Sequence, residues 1–203
     1  MDLLANIITE PVNILSKEGV AEYYGSMLSE QQSTDFFERL FSNIEWKHDE
    51  VLIYGKRIVT KREVAWFAEQ PFKYTYSNTT KTALPFTDEL LVLKGLVEDK
   101  CNESFNACLL NLYHDGSEGM AWHSDDEPEL KKDAAIASLS LGAERKFSFK
   151  HKKTKEMTSL TLENGSLLVM RGKTQTYWQH CLPPTKKVNT PRINLTFRSM
   201  SVY

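Results

Sequence analysis

The sequence predicts a mainly β protein, an antiparallel double-sheet barrel or jelly roll with helices on one side. Short alternating apolar and polar segments separated by turns fill the chain after residue 104, and helical spacing is confined to the first half. No repeat or low-complexity linker divides the 203 residues. With 41% hydrophobic and 26% charged residues the chain can bury one good core, so one domain over residues 1–203 is expected. Helices would occupy about 1–104, and the strand-rich core about 105–203.

Taken in order, the first 28 residues carry Pro11, Gly19 and Gly25 and read as an irregular arm plus an edge strand. Phe36, Phe37, Leu40, Phe41 and Ile44 recur at helical spacing and predict a helix over Ser33 to Asn43. Thr87 is an N-cap for a second helix through Leu90, Leu91, Leu93 and Val97. Phe105 to Tyr113 predicts a strand with Asn111 and Tyr113 on the same face as Phe105, Ala107 and Leu109. His114-Asp115-Gly116 reads as a turn. Strands follow over Ile136 to Leu141, Lys146 to Lys150, Thr158 to Leu162, Ser166 to Met170 and Arg192 to Phe197, with Asn164-Gly165 a hairpin signal.

Composition narrows the function classes. No stretch approaches the roughly 18 apolar residues of a membrane span, and Met1-Asp2-Leu3-Leu4 lacks the basic start of a secretory signal. A soluble intracellular monomer is expected, cytoplasmic or, in a eukaryote, nuclear, with no membrane partner. Cys101, Cys108 and Cys181 are odd in number and lack metal-type spacing, which argues against a disulfide framework. Residues 1–50 carry ten Asp or Glu against three Lys or Arg, so the net charge of -2 leaves the remainder basic. Arg145 to Lys155 holds six cations and no acid, and Lys56, Arg57, Lys61 and Arg62 form a second group. Such runs fit a phosphate backbone, and the first fits a solvated strand face equally well.

The chemistry is concentrated in His123-Ser124-Asp125, His180 and the run Arg192 to Arg198. Two imidazoles and one carboxylate leave half of an octahedral iron open, as non-haem Fe(II) oxygenases need for O2 and an organic chelator. By residue type alone His180 reads as a core histidine and the arginines as surface cations. Strand parity argues otherwise. One face of Arg192 to Arg198 reads Arg, Asn, Thr, Arg and the other Ile, Leu, Phe, so the polar face must look into water or a polar cavity. The two arginine Cα atoms lie roughly 20 Å apart, and guanidiniums leaning inward by about 6 Å each would end roughly 8 Å apart, near the span of a five-carbon dicarboxylate. His114 is read as a loop residue, and His48 and His151 as solvated. Because imidazole must be neutral to ligate, iron affinity should fall below about pH 6.

The segments NLYHDGSEGMAWHSDDE, SLLVMRGKTQTYWQHCLPPTKKV and PRINLTFR resemble the AlkB family of Fe(II)/2-oxoglutarate-dependent nucleic-acid dealkylases, over about residues 50–200. Within it, FSFKHK and the run from Trp178 to Arg198 look most similar to the branch that repairs duplex DNA. The resemblance implies a double-stranded β-helix of jelly-roll type with an N-terminal nucleotide-recognition lid. It implies Fe(II) on His123, Asp125 and His180, with 2-oxoglutarate and O2 as co-substrates. It gives 2-oxoglutarate to Asn111, Tyr113, Arg192, Thr196 and Arg198, with Asn194 on the same strand face, Arg192 at the distal carboxylate and Arg198 nearer the metal.

Substrate contacts are implied in the same way. Tyr54, Gly55 and Lys56 resemble a hairpin finger, Arg62 a lid arginine, and Tyr74, Thr75 and Tyr76 a lid segment whose aromatic stacks on an extruded base. Asp126 matches a position that contacts the base. The implied reaction removes N-methyl groups from 1-methyladenine or 3-methylcytosine in DNA or RNA, releasing succinate, CO2 and formaldehyde. Residues 57–72 match the family lid only loosely, which leaves duplex, single strand and RNA open. Two other classes stay in view: an oxygenase of the same chemistry acting on protein, lipid or a small molecule, and a catalytically silent nucleic-acid binder. Turnover of 2-oxoglutarate without a nucleic-acid product would mark the first of these, and iron binding with formaldehyde release would exclude the second.

Overall fold

A computed structural model describes residues 10–53, 56–76 and 79–201, with the backbone alone for 49–53, 56–58, 73–76 and 79–81. In chain order the first half holds β1 Val12–Asn13, β2 Val20–Ser26, α1 Glu30–Asn43, β3 Lys47–Ile53, β4 Lys56–Ala68, β5 Lys73–Tyr76, β6 Thr79–Thr82, β7 Leu84–Pro85 and α2 Asp88–Cys101. The second half holds β8 Ala107–Tyr113, β9 Met120–His123, β10 Ile136–Gly142, β11 Arg145–His151, β12 Met157–Leu162, β13 Ser166–Arg171, α3 Thr174–Tyr177, β14 Trp178–Leu182 and β15 Arg192–Arg198.

The expected jelly roll is present. From β8 onward the chain passes back and forth between two sheets, except for the consecutive pair β11 and β12 within one of them; one sheet contains the order β13-β10-β15-β8 and the other β12-β11-β14-β9. The larger sheet is extended by β2 and β1 at one edge and by β4 and β3 at the other, while β5 and β6 pair apart. The helices cover the outer face of the larger sheet: Leu40, Leu90, Leu93 and Val97 share a core with Leu139, Leu141, Ile193, Leu195 and Phe197. Each such side chain contributes about 1.5–3 kcal/mol by burial. Because Ile193, Leu195 and Phe197 are committed to the helices, period-two geometry aims Arg192, Asn194, Thr196 and Arg198 at the space between the sheets.

Local chemistry fixes the helix ends. Helix α1 starts before Ser33 because Ser29 and Gln32 form a capping box, Gln32 N–H donating to Ser29 Oγ at 3.2 Å and Ser29 N–H to Gln32 Oε1 at 3.0 Å. Helix α2 begins after Thr87, as expected, and ends at Asn102, whose φ of 51° turns the chain left-handed.

Several expectations are corrected. The edge strand expected in the first 28 residues is present as β1, but residues 20–26 form a further strand, β2, paired with β1 and, with one register shift, with β13. Asn164-Gly165 is not a hairpin: β12 pairs with β11, whereas β13 pairs with β10 and β2, so the turn carries the chain from one sheet to the other. Gly165 has φ +73°, and a Cβ there would sit 2.4 Å from the hydroxyl of buried Ser33. His151 is buried, not solvated. Its Nε2 meets a Glu18 carboxylate oxygen at 2.9 Å, and its Nδ1 accepts from the Thr154 N–H at 3.0 Å. Arg145 leaves the basic surface run altogether: it is buried and donates to the carbonyls of Asp115, Gly116, Glu118 and Pro183. His48 is exposed and His114 lies in a loop, as expected, the latter paired with Glu63 and Glu118.

Candidate metal and dicarboxylate site

Strands β9 and β14 pair so that His123 and His180 stand directly opposite each other. Their ring centroids are 4.2 Å apart. Asp125 completes the group: His123 Nε2 is 3.6 Å from its Oδ1 and His180 Nε2 is 3.8 Å from its Oδ2. One ligand atom from each residue falls within 4.8 Å of the others, and among the described residues this is the His/Cys/Asp/Glu cluster that could hold a metal ion. The His123 Nδ1 lies 2.8 Å from the Ala121 carbonyl, which can only accept, so that nitrogen carries the proton and Nε2 keeps its lone pair.

Electrostatics favour the ligand forms. Burial drives the His180 pKa down to about 3 against the opposing pull of Asp125, so this imidazole stays neutral well below the pH 6 limit expected from the sequence. Burial would raise the Asp125 pKa, but the Arg198 guanidinium, followed by the two imidazoles, outweighs it and holds the carboxyl below its usual range. Arg198 Nη2 is 3.2 Å from Asp125 Oδ1.

Strand register builds the neighbouring polar face. Arg192 pairs with Tyr113 and Asn194 with Asn111 across β15 and β8, while Ser138 and Ser140 on β10 oppose Thr196 and Asn194. Arg192 Nη2 donates to Asn194 Oδ1 at 2.6 Å and to Ser140 Oγ at 2.9 Å. Asn194 in turn accepts from Ser138 at 3.0 Å and donates to Thr196 at 2.8 Å. Burial, with a contribution from Arg145, lowers the Arg192 pKa to about 10, which still leaves it charged at neutral pH.

One pocket gathers Asn111, Tyr113, His123, Asp125, His180, Arg192, Asn194, Thr196 and Arg198, every metal and co-substrate residue expected from the sequence. The donor set suits ferrous iron. The buried Arg192 Nε–H lacks an acceptor within the protein, which fits a pocket built for an anionic guest. A larger groove of about 900 Å3 lies between the end of α2 and residues 131–135 and contains none of these groups. Size does not mark the chemistry here.

The expected substrate residues are less concentrated. Asp126 is exposed and borders a cavity of about 540 Å3 that also reaches Asp125 and Arg198. Arg62 is buried and donates to Met120 Sδ at 3.2 Å, placing it behind a residue of the pocket wall. Tyr54 and Gly55 lie outside the described residues, and Lys56, Tyr74, Thr75 and Tyr76 are described only as strand backbone. Sequence reasoning missed Phe147, which stacks on His180 at 5.4 Å, and Ser138, Ser140, Met120 and Met170. The alternation of Phe147 and Phe149 with Lys146 and Ser148 was the available signal for the first.

A family model described as the 2OG-Fe(II) oxygenase superfamily matches residues 21–198. The DNA oxidative demethylase ALKBH2 of Mus musculus is 34% identical over 197 residues, covering 92% of this chain and 82% of that protein. The alpha-ketoglutarate-dependent dioxygenase alkB homolog 3 of Bos taurus is 37% identical over 180 residues, covering 84% of this chain, which spans 62% of that protein's length. The solved structure of OsALKBH1 superposes with a TM-score of 0.63 over 91% of this chain and 99% of that one; at 18% identity it supports the fold alone. On the family match and the extent of these similarities, the chain belongs to the 2OG-Fe(II) oxygenase superfamily, within its AlkB family.

Proposed function

We propose that this protein is an Fe(II)- and 2-oxoglutarate-dependent demethylase of N-alkylated nucleobases, of the 1-methyladenine and 3-methylcytosine type, in DNA, with RNA as the alternative polymer. The observation that carries the reading is the convergence of His123, Asp125 and His180 beside a buried cationic strand face ending in Arg192 and Arg198. It is supported by relatives named DNA oxidative demethylases. Residues 1–203 act as one unit, a monomer inside the cell, and no described helix is long and apolar enough to cross a membrane.

In this reading His123, Asp125 and His180 hold the iron. Bound iron supplies the oxidative chemistry, coupling decarboxylation of 2-oxoglutarate by O2 to hydroxylation of the N-methyl carbon, after which the hemiaminal loses formaldehyde. The chain's own residues bind and orient. Arg198 offsets the Asp125 charge beside the metal, and Arg192 receives the distal carboxylate in a fork held by Asn194 and Ser140. Asn111, Tyr113 and Thr196 complete the polar wall, while Phe147, Met170 and Leu182 keep water out. Asp126 at the adjoining cavity contacts the base, and Arg62, Lys56 and the strand Tyr74–Tyr76 serve the nucleotide lid with Tyr54 and Gly55.

The test is anaerobic reconstitution with Fe(II), then addition of O2, 2-oxoglutarate and methylated single-stranded or duplex oligonucleotides, read by mass spectrometry. Methyl loss with matching succinate and formaldehyde is expected. Succinate without demethylation of any nucleic acid would move the enzyme to another substrate class, and no turnover at all would remove the oxygenase reading.

A further inference from the structure

The strand register holds His123 against His180, but the third donor has no such support. Asp125 lies past the end of β9, in residues 124–127, which belong to no strand. Two hydrogen bonds tie this segment to the chain leading into His180. Ser124 Oγ donates to the Trp178 carbonyl at 2.9 Å, and the Asp125 N–H donates to Gln175 Oε1 at 3.0 Å.

Gln175 is itself well anchored. Its Nε2 donates to Met170 Sδ at 3.4 Å, and its main-chain carbonyl accepts from Lys152 Nζ at 2.7 Å. The preceding Thr174 is buried, with its hydroxyl shared among backbone groups of Val20 and Arg171. Since the amide N–H needs an acceptor and the Asp125 N–H needs one too, the amide has a single sensible orientation. Arg198 also touches Asp125, but through the carboxylate, where a cation competes with a metal for the ligand oxygens. Gln175 acts on the backbone and leaves both oxygens available.

We propose that Gln175 is a positioning residue of the metal centre: its amide oxygen fixes the main chain of Asp125 so that the carboxylate faces both imidazoles, and thereby sets metal affinity. This rests on the reading of His123, Asp125 and His180 as metal ligands. Outer partners of ligating residues typically tune affinity by about 10–100-fold.

The test uses Co(II), an oxygen-stable probe, titrated into metal-free wild type, Gln175→Ala and Gln175→Glu, followed by visible absorption and calorimetry. The metal-free thermal midpoint of each is measured alongside. Gln175→Ala should weaken Co(II) binding by about 10–100-fold. Gln175→Glu keeps an acceptor oxygen for the Asp125 N–H and should restore most of that affinity. Equal affinity in Gln175→Ala and wild type overturns the proposal, including the case where only the thermal midpoint drops, which marks a merely structural residue. Failure of Gln175→Glu to recover affinity overturns it as well, because the acceptor would then not be what matters. If wild type itself binds no Co(II), the inference falls with the metal reading, and the fault lies in the latter.

Discussion

Arg192→Met should make the metal-free protein more stable while removing the proposed dicarboxylate site. The guanidinium is buried, and its pKa is lowered from 12.5 to about 10, equivalent to about 3 kcal/mol held against the charged form. Methionine fills much of the same volume without the charge. The substitution leaves Ser140 Oγ and Asn194 Oδ1 without the guanidinium hydrogen bonds, at a cost of about 1–2 kcal/mol. A net gain of about 1–2 kcal/mol follows, or a rise in Tm of about 2–8 °C for a chain of this size. A lowered cation pKa penalises the fold at every pH below about 10 and is relieved as pH rises through that value, so the advantage of the variant should shrink in alkali. Binding should move the other way, since a lost charge-assisted fork costs about 3 kcal/mol or more, over 100-fold in affinity. Thermal denaturation of the metal-free proteins and calorimetry with 2-oxoglutarate in the presence of Mn(II) read both effects. A variant that melts below wild type, or that binds 2-oxoglutarate as tightly, would refute the reasoning.

Gly116→Ala should destabilise the protein by about 3 kcal/mol, because the new Cβ would sit 2.4 Å from the Thr185 carbonyl and 2.7 Å from that of Val188. Both contacts are backbone, in a segment where Gly116 N–H already donates to the Val188 carbonyl at 2.8 Å, so neither can yield without losing pairing. Urea denaturation checks this, and an unchanged midpoint would contradict it. The cysteines should resist thiol reagents in the native state. Burial raises the Cys101 pKa from 9.0 to about 11, Cys108 goes well above its ordinary value and Cys181 also rises. At pH 8 the Cys101 thiolate fraction falls about 100-fold, so labelling by a chromogenic disulfide should await unfolding, and its absence above pH 9 favours the unfolded chain. Rapid native labelling of Cys101 would show the burial to be wrong.

Some of this protein was determined by sequence alone. Local backbone geometry dictates that Arg192, Asn194, Thr196 and Arg198 share a face once Ile193, Leu195 and Phe197 are buried, and the structure lines one pocket with all four. The cap at Thr87 is likewise a short-range hydrogen bond that needs no distant partner. Tertiary structure decided the rest. Strand β9 is four residues long, too short to show a period, and only its register with β14 brings His123 opposite His180. Asn164-Gly165 has the same turn chemistry whether the chain folds back on its own sheet or crosses to the other, and long-range pairing of β13 with β10 and β2 made the choice. Arg145 and His151 read as solvated until remote carbonyls and the exposed Glu18 carboxylate gave the buried side chains partners. Periodicity states which face of a segment avoids water; which segments then meet depends on hydrogen bonds and packing between residues far apart in the chain, and that information has no local signature.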